Sequence, residues 1–218
     1  MILLAKVAIL IPVSLQPLLG NALTINTEIE RRFLVDGRAE KPWRNAYEKL
    51  QITQYYLDAN DILFRDSAIS YRSEVLVSVT KEEFRIISKS NNWTSRIRVQ
   101  NDAVIFTMKG KEVGIETTEL EWVLPSLPNI SGLEQHPCVE KIRYCVNAGN
   151  GLVWEVDEFE GVLAGLILAE IELEDINQEF DRPEWIGIEL TGLKNWSNAS
   201  LATTLLNAEE LKKTLRQQ

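Results

Sequence analysis

Glu28, Glu30 and Arg32 stand at every second position of the segment TEIERRFLV. Successive side chains of a β-strand point to opposite faces, so these three charges share one face while Ile29 and Phe33 take the other. Two carboxylates and a guanidinium on one strand face make half of a site for a metal ion and a multiply charged anion. If other strands repeat the device, the chain encloses a charged cavity suited to phosphate chemistry.

The device does recur. Arg96 and Arg98 alternate in SRIRV, Lys109 and Lys111 in FTMKGK, and Glu119 and Glu121 in TELEW. Lys141 and Arg143 follow in EKIRY, Glu155 and Asp157 in WEVDEF, and Glu170 and Glu172 in AEIEL. The positions between are mostly apolar: Ile97, Met108, Leu120, Trp122, Ile142, Tyr144, Val156 and Ile171. The wet face of an ordinary antiparallel sheet also alternates. Such a face mixes Ser, Thr, Lys, Gln and Glu, however, whereas these pairs are almost purely basic or purely acidic. Like charges two residues apart repel, so this segregation calls for opposite charges across a cavity or for a bound ligand.

The elements that must position these pairs are strands. Runs over Thr27–Val35, Leu50–Leu57, Ile69–Val79, Ser95–Val99, Ala103–Lys109, Thr118–Val123, Lys141–Val146, Leu152–Phe159 and Leu166–Leu173 read as strands. Gly, Asn and Asp punctuate them, as at Asn101-Asp102 and from Asn147 to Gly151. Two helices are predicted. One has Pro42 in its first turn, with Trp43, Ala46, Tyr47 and Leu50 as its apolar positions. The other starts near Ser197 or Asn198 and runs through Leu201, Leu205, Leu211 and Leu215. Many strands and few helices in one domain from Ile25 onward predict a mainly β (α+β) protein, a large antiparallel barrel with helical trim.

Bulk properties narrow the function. The 45% hydrophobic and 25% charged content is that of a globular protein with a full core. A net charge of −9 argues against general binding to nucleic acid or to anionic membranes. Cys138 and Cys145 give no disulfide framework and no metal pattern, and as reduced thiols they favour the cytoplasm. One histidine, His136, leaves Ser-His and Cys-His hydrolysis without its parts. Residues 1–24 differ from the rest: apolar, with Lys6 the only charge and Pro12 and Pro17 interrupting the run. That run is short against the roughly 20 residues a bilayer span needs. Three readings stay open for it: an extension not made in the cell, an export signal with Gly20-Asn21-Ala22 at its cleavage end, or a docked helix.

The segment TEIERRFLV resembles the ExExK signature that opens the CYTH domain, the fold of the triphosphate tunnel metalloenzymes. The resemblance continues in order through ITQYYL, SRIRVQNDAVIFTMKGK, TTELEW, VEKIRY, WEVDEFEG, GLILAEIEL and PEWIGIELTG, roughly residues 27 to 205. It implies an eight-stranded antiparallel closed barrel, a tunnel, with flanking helices and a C-terminal helix, over residues 25–218. It also implies a triphosphate-bearing small-molecule substrate with Mg²⁺ or Mn²⁺: inorganic triphosphate first, ATP or thiamine triphosphate as alternatives.

Carried over by position, Glu28 and Glu30 match the signature carboxylates, and Arg32 stands where the signature has lysine. Arg96, Arg98, Lys109, Lys141 and Arg143, together with Arg32, match the basic residues that hold phosphates. Asp157, Glu170 and Glu172 match acidic positions that serve the metals with Glu28 and Glu30. The catalytic set the resemblance implies is Glu28, Glu30, Arg32 and Asp157. Glu119 and Glu121 match a further acidic pair without a clear task, and Glu189 falls in a matching stretch with none assigned. Arg32 keeps the charge but not the titratable ammonium, so a phosphate-binding role survives the exchange and an acid–base role does not. The stretch at about 58–95 is longer than family members usually have and reads as a surface insertion of no consequence or a cap on one mouth. The expected activity is metal-dependent hydrolysis of triphosphate. An adenylate cyclase, a non-catalytic polyphosphate or nucleotide binder, and a lipocalin-like carrier with an apolar interior are the rivals.

Overall fold

The computed structural model describes residues 24–216 apart from 39, 66, 91 and 111–115. The apolar leader up to residue 23 and Lys111 lie outside the described residues. The strands are β1 (Thr24–Val35), β2 (Glu48–Leu57), β3 (Ile62–Arg65), β4 (Ala68–Tyr71), β5 (Glu74–Ser78), β6 (Thr94–Gln100) and β7 (Ala103–Lys109). They continue with β8 (Glu116–Leu124), β9 (Cys138–Gly149), β10 (Leu152–Phe159), β11 (Ile167–Leu173) and β12 (Ile186–Glu189). Two α-helices, α1 (Lys81–Ile87) and α2 (Asn198–Arg216), complete the chain.

Eight of these strands close on themselves. The order β11-β10-β9-β2-β6-β7-β8-β1 is sealed by pairing of β1 with β11, and every pairing is antiparallel. Closure leaves no open edge in the ring, which is how a sheet this long avoids unpaired backbone groups. β12 continues the edge of β1 beyond the point where β8 leaves it, pairing Phe33 with Glu189 and Val35 with Ile186.

The alternation places the charged positions inside and the apolar positions outside, so the core lies around the barrel wall. On one side Ile97, Phe106, Leu120 and Trp122 are buried beneath Ile69, Tyr71, Val77 and Ile87. Those four covering residues come from the β3-β4-β5 sheet and α1, so the stretch at 58–95 covers the outer core on this side. That overturns its reading as a segment of no consequence. α1 is fixed by a capping box between Thr80 and Glu83, and buried Glu83 also accepts the Trp122 indole N–H at 3.1 Å. On the other side Phe33, Trp154, Val156 and Ile171 pack under Trp43, Phe180 and Trp185. Burying such large aromatic faces is what stabilises a barrel whose interior is polar.

Two sequence expectations change. Pro42 begins a short 3₁₀ turn, Pro42–Asn45, rather than a helix. Ala46 is already extended (φ −57°, ψ 152°), and the Tyr47 N–H donates to the Cys145 carbonyl, so pairing with β9 takes over the segment. The run Ile69–Val79 is two strands rather than one. Arg72 turns at φ 54° between them, and its N–H and guanidinium both reach Asp61. The C-terminal helix starts where expected, with Ser197 Oγ accepting the Ser200 N–H. Its first turns lay Ala199 and Ala202 against Tyr56, Val139, Phe159 and Leu168, lumen-facing residues at one end of the barrel. No helix among the described residues is long and apolar enough to cross a membrane.

Candidate active site in the barrel lumen

The lumen holds a cavity of about 590 Å³ walled by charged side chains of seven strands. Strand register alone brings several of them face to face: Arg32 opposite Glu170, Glu30 opposite Glu172, Asp157 opposite Arg143 and Lys109 opposite Glu119. The side chains then join into one continuous belt. Lys109 Nζ lies 2.8 Å from Glu28 and 3.4 Å from Glu30. Arg32 donates to Glu30 at 2.5 Å and to Glu170 at 2.6 Å, bridging carboxylates of two strands with one fork. Arg143 continues from Glu170 at 3.1 Å to both oxygens of Asp157 at 2.7 Å, and to Glu155. On the other side Arg96 reaches Glu119 at 3.1 Å, and Arg98 reaches Glu121 at 2.9 Å, where Thr107 also donates.

Apart from Glu189, which lies on the outer face with Arg31, and Lys111, which lies outside the described residues, the basic and acidic residues singled out in the sequence face this lumen, but not to the same depth. Lys141 and Asp157 are paired and 1% exposed, behind Arg143 and off the cavity surface. The structure adds lining groups that charge alternation did not single out: Gln54, Tyr56, and Lys194 with Ser197, Asn198 and Ser200 at the start of α2. Gln54 and Tyr56 carry the period-two signal in QITQYYL, but without charge it was mute. Glu155, already paired with Asp157 in the alternation of WEVDEF, lines the cavity as well.

Two observations bear on what the lumen takes. The Nε–H groups of Arg96 and Arg98 are buried with no acceptor among the described residues. Buried donors of this kind cost free energy unless something accepts from them. Glu172, in contrast, has no ion-pair partner among the described residues and faces Glu30 across the strand pair. The wall thus offers donors for an anion and a spare carboxyl for a cation.

Residues 88–204 match the CYTH domain. The chain is also 34% identical over 177 residues to a protein of Acetivibrio thermocellus named inorganic triphosphatase, covering 80% of this chain and 92% of that one. The chain belongs to the CYTH family. A protein of the same name from Nitrosomonas europaea is 32% identical over 120 residues, 50% of this chain and 75% of that one. A crystal structure of an inorganic triphosphatase aligns at 25% identity and a TM-score of 0.47, covering 81% of this chain and 95% of that one.

In this CYTH lumen the carboxyls outnumber the bases, and the titration behaviour follows. Burial, then repulsion from Glu155, Glu28 and Glu30, pushes Glu172 up to about 8, although its side chain still meets lumen water. Burial and Glu170 raise Glu30 as well. Burial works to raise Glu28, but the hydrogen bond from Glu119 and the charge of Lys109 outweigh it and hold Glu28 at about 2. Glu119 moves up, through burial and that same hydrogen bond. Burial and Arg143 lower Lys141 to about 8.

The raised Glu172 makes the stability of the fold depend on pH. Its folded pKa lies above the ordinary 4.5, so its contribution to stability is full below pH 4.5 and is lost as pH rises through about 8. The metal-free CYTH protein should therefore melt at a falling temperature between pH 5 and 7.5, and Glu172→Gln should flatten part of that fall. Lys141 acts in the opposite sense only from about pH 8 upward, outside this window. Equal slopes for wild type and variant in thermal melts would refute the assignment.

The donor set fits a hard divalent cation. Glu28, Glu30 and Glu172 offer only carboxylate oxygens, the ligands Mg²⁺ and Mn²⁺ take, with no Cys, Met or His among the described residues that line the cavity. Among the described residues no three acidic side chains already form a ligand cage.

Proposed function

We propose that this CYTH protein is a metal-dependent triphosphatase whose substrate is inorganic triphosphate, with Mg²⁺ or Mn²⁺ as the cofactor. One observation carries the reading: among the described residues the barrel strands bring eight carboxyls against six basic groups into the lumen, yet two of the arginines hold buried N–H groups without acceptors. An anion alone would meet an acidic wall and a cation alone would leave the arginine donors unmet. A polyanion together with a divalent cation satisfies both. The triphosphatase names of the two relatives point the same way.

In this reading Arg32, Arg96, Arg98, Lys109 and Arg143 bind the phosphate oxygens, the arginines through planar forks and Lys109 as a point charge. Glu28, Glu30 and Glu172 would hold the metal, which when bound neutralises phosphate charge and lowers the pKa of a bound water. Asp157 and Lys141 fix the Arg143 fork from behind. Phosphoryl transfer needs positioning and charge neutralisation more than covalent help, which suits a lumen without histidine. The free thiols of Cys138 and Cys145 support a reducing compartment, and we place the protein in the cytoplasm.

The test is a panel of triphosphate, thiamine triphosphate, ATP and long-chain polyphosphate, each with Mg²⁺ and Mn²⁺, read by phosphate release and by product chromatography. Inorganic triphosphate should yield phosphate and pyrophosphate at the highest kcat/KM. Cyclic AMP and pyrophosphate from ATP would replace this reading by a cyclase, and tight triphosphate binding without turnover by a binder.

A further inference from the structure

Glu189 stands outside the lumen, and its surroundings give it a task. Among the described residues β8 pairs with β1 from Thr24 to Ile29, and pairing with β12 begins at Phe33. Arg32 lies between the two. Its carbonyl accepts the Leu190 N–H at 2.7 Å, and its N–H donates to the Thr191 hydroxyl at 3.1 Å. A side chain thus serves as the acceptor just beyond the end of β12. The Thr191 hydroxyl in turn donates to Glu189 at 2.8 Å, so its proton is committed and its lone pair is left facing Arg32. Glu189 is gripped by Arg31 at 2.7 and 2.5 Å and by Arg182 at 3.1 Å. Arg31 and Arg32 point to opposite faces of β1, one to this outer cluster and one to the lumen.

We propose that Thr191 and Glu189 are positioning residues for Arg32, a latch that fixes the β1 backbone from outside the lumen. The Arg31–Glu189 pair orients the Thr191 hydroxyl, the hydroxyl holds the Arg32 backbone, and the Arg32 fork is thereby aimed at Glu30, Glu170 and the phosphates. The inference rests on Arg32 binding phosphate as proposed above. A misplacement of a phosphate-binding fork well under an ångström is enough to cost rate.

The experiment is a double-mutant cycle. Thr191→Val keeps the shape and removes the hydroxyl, while Thr191→Ser keeps the hydroxyl. With triphosphate and Mg²⁺, Thr191→Val should lower kcat/KM about tenfold, the scale of one lost hydrogen bond, and Thr191→Ser should stay within about twofold. Glu189→Gln should fall between them. In an Arg32→Ala background the Thr191→Val loss should vanish, because its target is gone. A purely structural role would instead add its loss in both backgrounds, and that result, or a Thr191→Val enzyme equal to wild type, overturns the latch. Triphosphate affinity by calorimetry over the same cycle decides the latch even if the wild type shows no turnover, an outcome that would sink the triphosphatase reading instead.

Discussion

Triphosphate hydrolysis should fall by about a thousandfold or more in Glu172→Gln, the loss of roughly 4 kcal/mol of transition-state stabilisation, while the protein becomes no less stable. Glutamine preserves the size of the side chain and one carbonyl oxygen but removes the charge a divalent cation needs. Glu172 has no ion-pair partner among the described residues, and Glu155, Glu28 and Glu30 repel it. Neutralising it therefore relieves strain in the metal-free protein, so the melting temperature above pH 7 should rise. Opposite signs for activity and stability are the mark of a site held against its own repulsion for function. Glu28→Gln should abolish activity equally but without the gain in stability, because Glu28 is already paired with Lys109 and hydrogen-bonded to Glu119. Kinetics at saturating Mg²⁺ together with thermal melts check both. Retained activity in both variants would sink the metal-site assignment.

An inside-out barrel writes its lumen into the sequence more plainly than an ordinary barrel does. Lumen positions that carry charge recur with period two, as in Glu28-Glu30-Arg32 and Arg96-Arg98, and the strands between turns are thereby legible one by one. What period two conveys is the face of a residue, not its depth along the tunnel. Lys141 and Asp157 read like the other pairs but are sealed behind Arg143. Nor does a local pattern report non-local pairing. Trp43, Ala46, Tyr47 and Leu50 have helical spacing, yet β9, about a hundred residues later in sequence, claims the segment through Tyr47 and the ladder from Glu48. The same blindness hid the outer cover: Ile69 and Val77 look like one strand until Arg72 turns the chain between them. Thr191 escaped for another reason, since a hydroxyl that accepts from the backbone of a strand far off in sequence has meaning only once the two segments are seen together.

The difference between a group that binds substrate and one that holds the wall together is sharpest at Arg143. It is buried and bonds Glu155, both oxygens of Asp157, and Glu170, so it is the charge that lets three carboxyls from β10 and β11 share one region. Arg143→Met should cost about 3–5 kcal/mol, the penalty for leaving buried charge without its partner, out of a total of roughly 5–15 kcal/mol. For a chain of this size that is a fall of about 6–20 °C in melting temperature, with triphosphate binding lost as well. Removing the pair behind it should act differently. Lys141 and Asp157 are 1% exposed and pay the full cost of desolvation, so Lys141→Met with Asp157→Leu replaces a buried ion pair by apolar volume. Such exchanges are neutral or stabilising by about 1–4 kcal/mol, and Arg143 keeps Glu155 and Glu170 as partners. The double variant should therefore melt at or above the wild-type temperature yet hydrolyse triphosphate more slowly, because the Arg143 fork has lost the carboxylate that set its angle. Urea titrations and steady-state kinetics on both variants separate the cases: a double variant as unstable as Arg143→Met would mean that the Lys141–Asp157 pair, rather than Arg143, is what carries this side of the barrel.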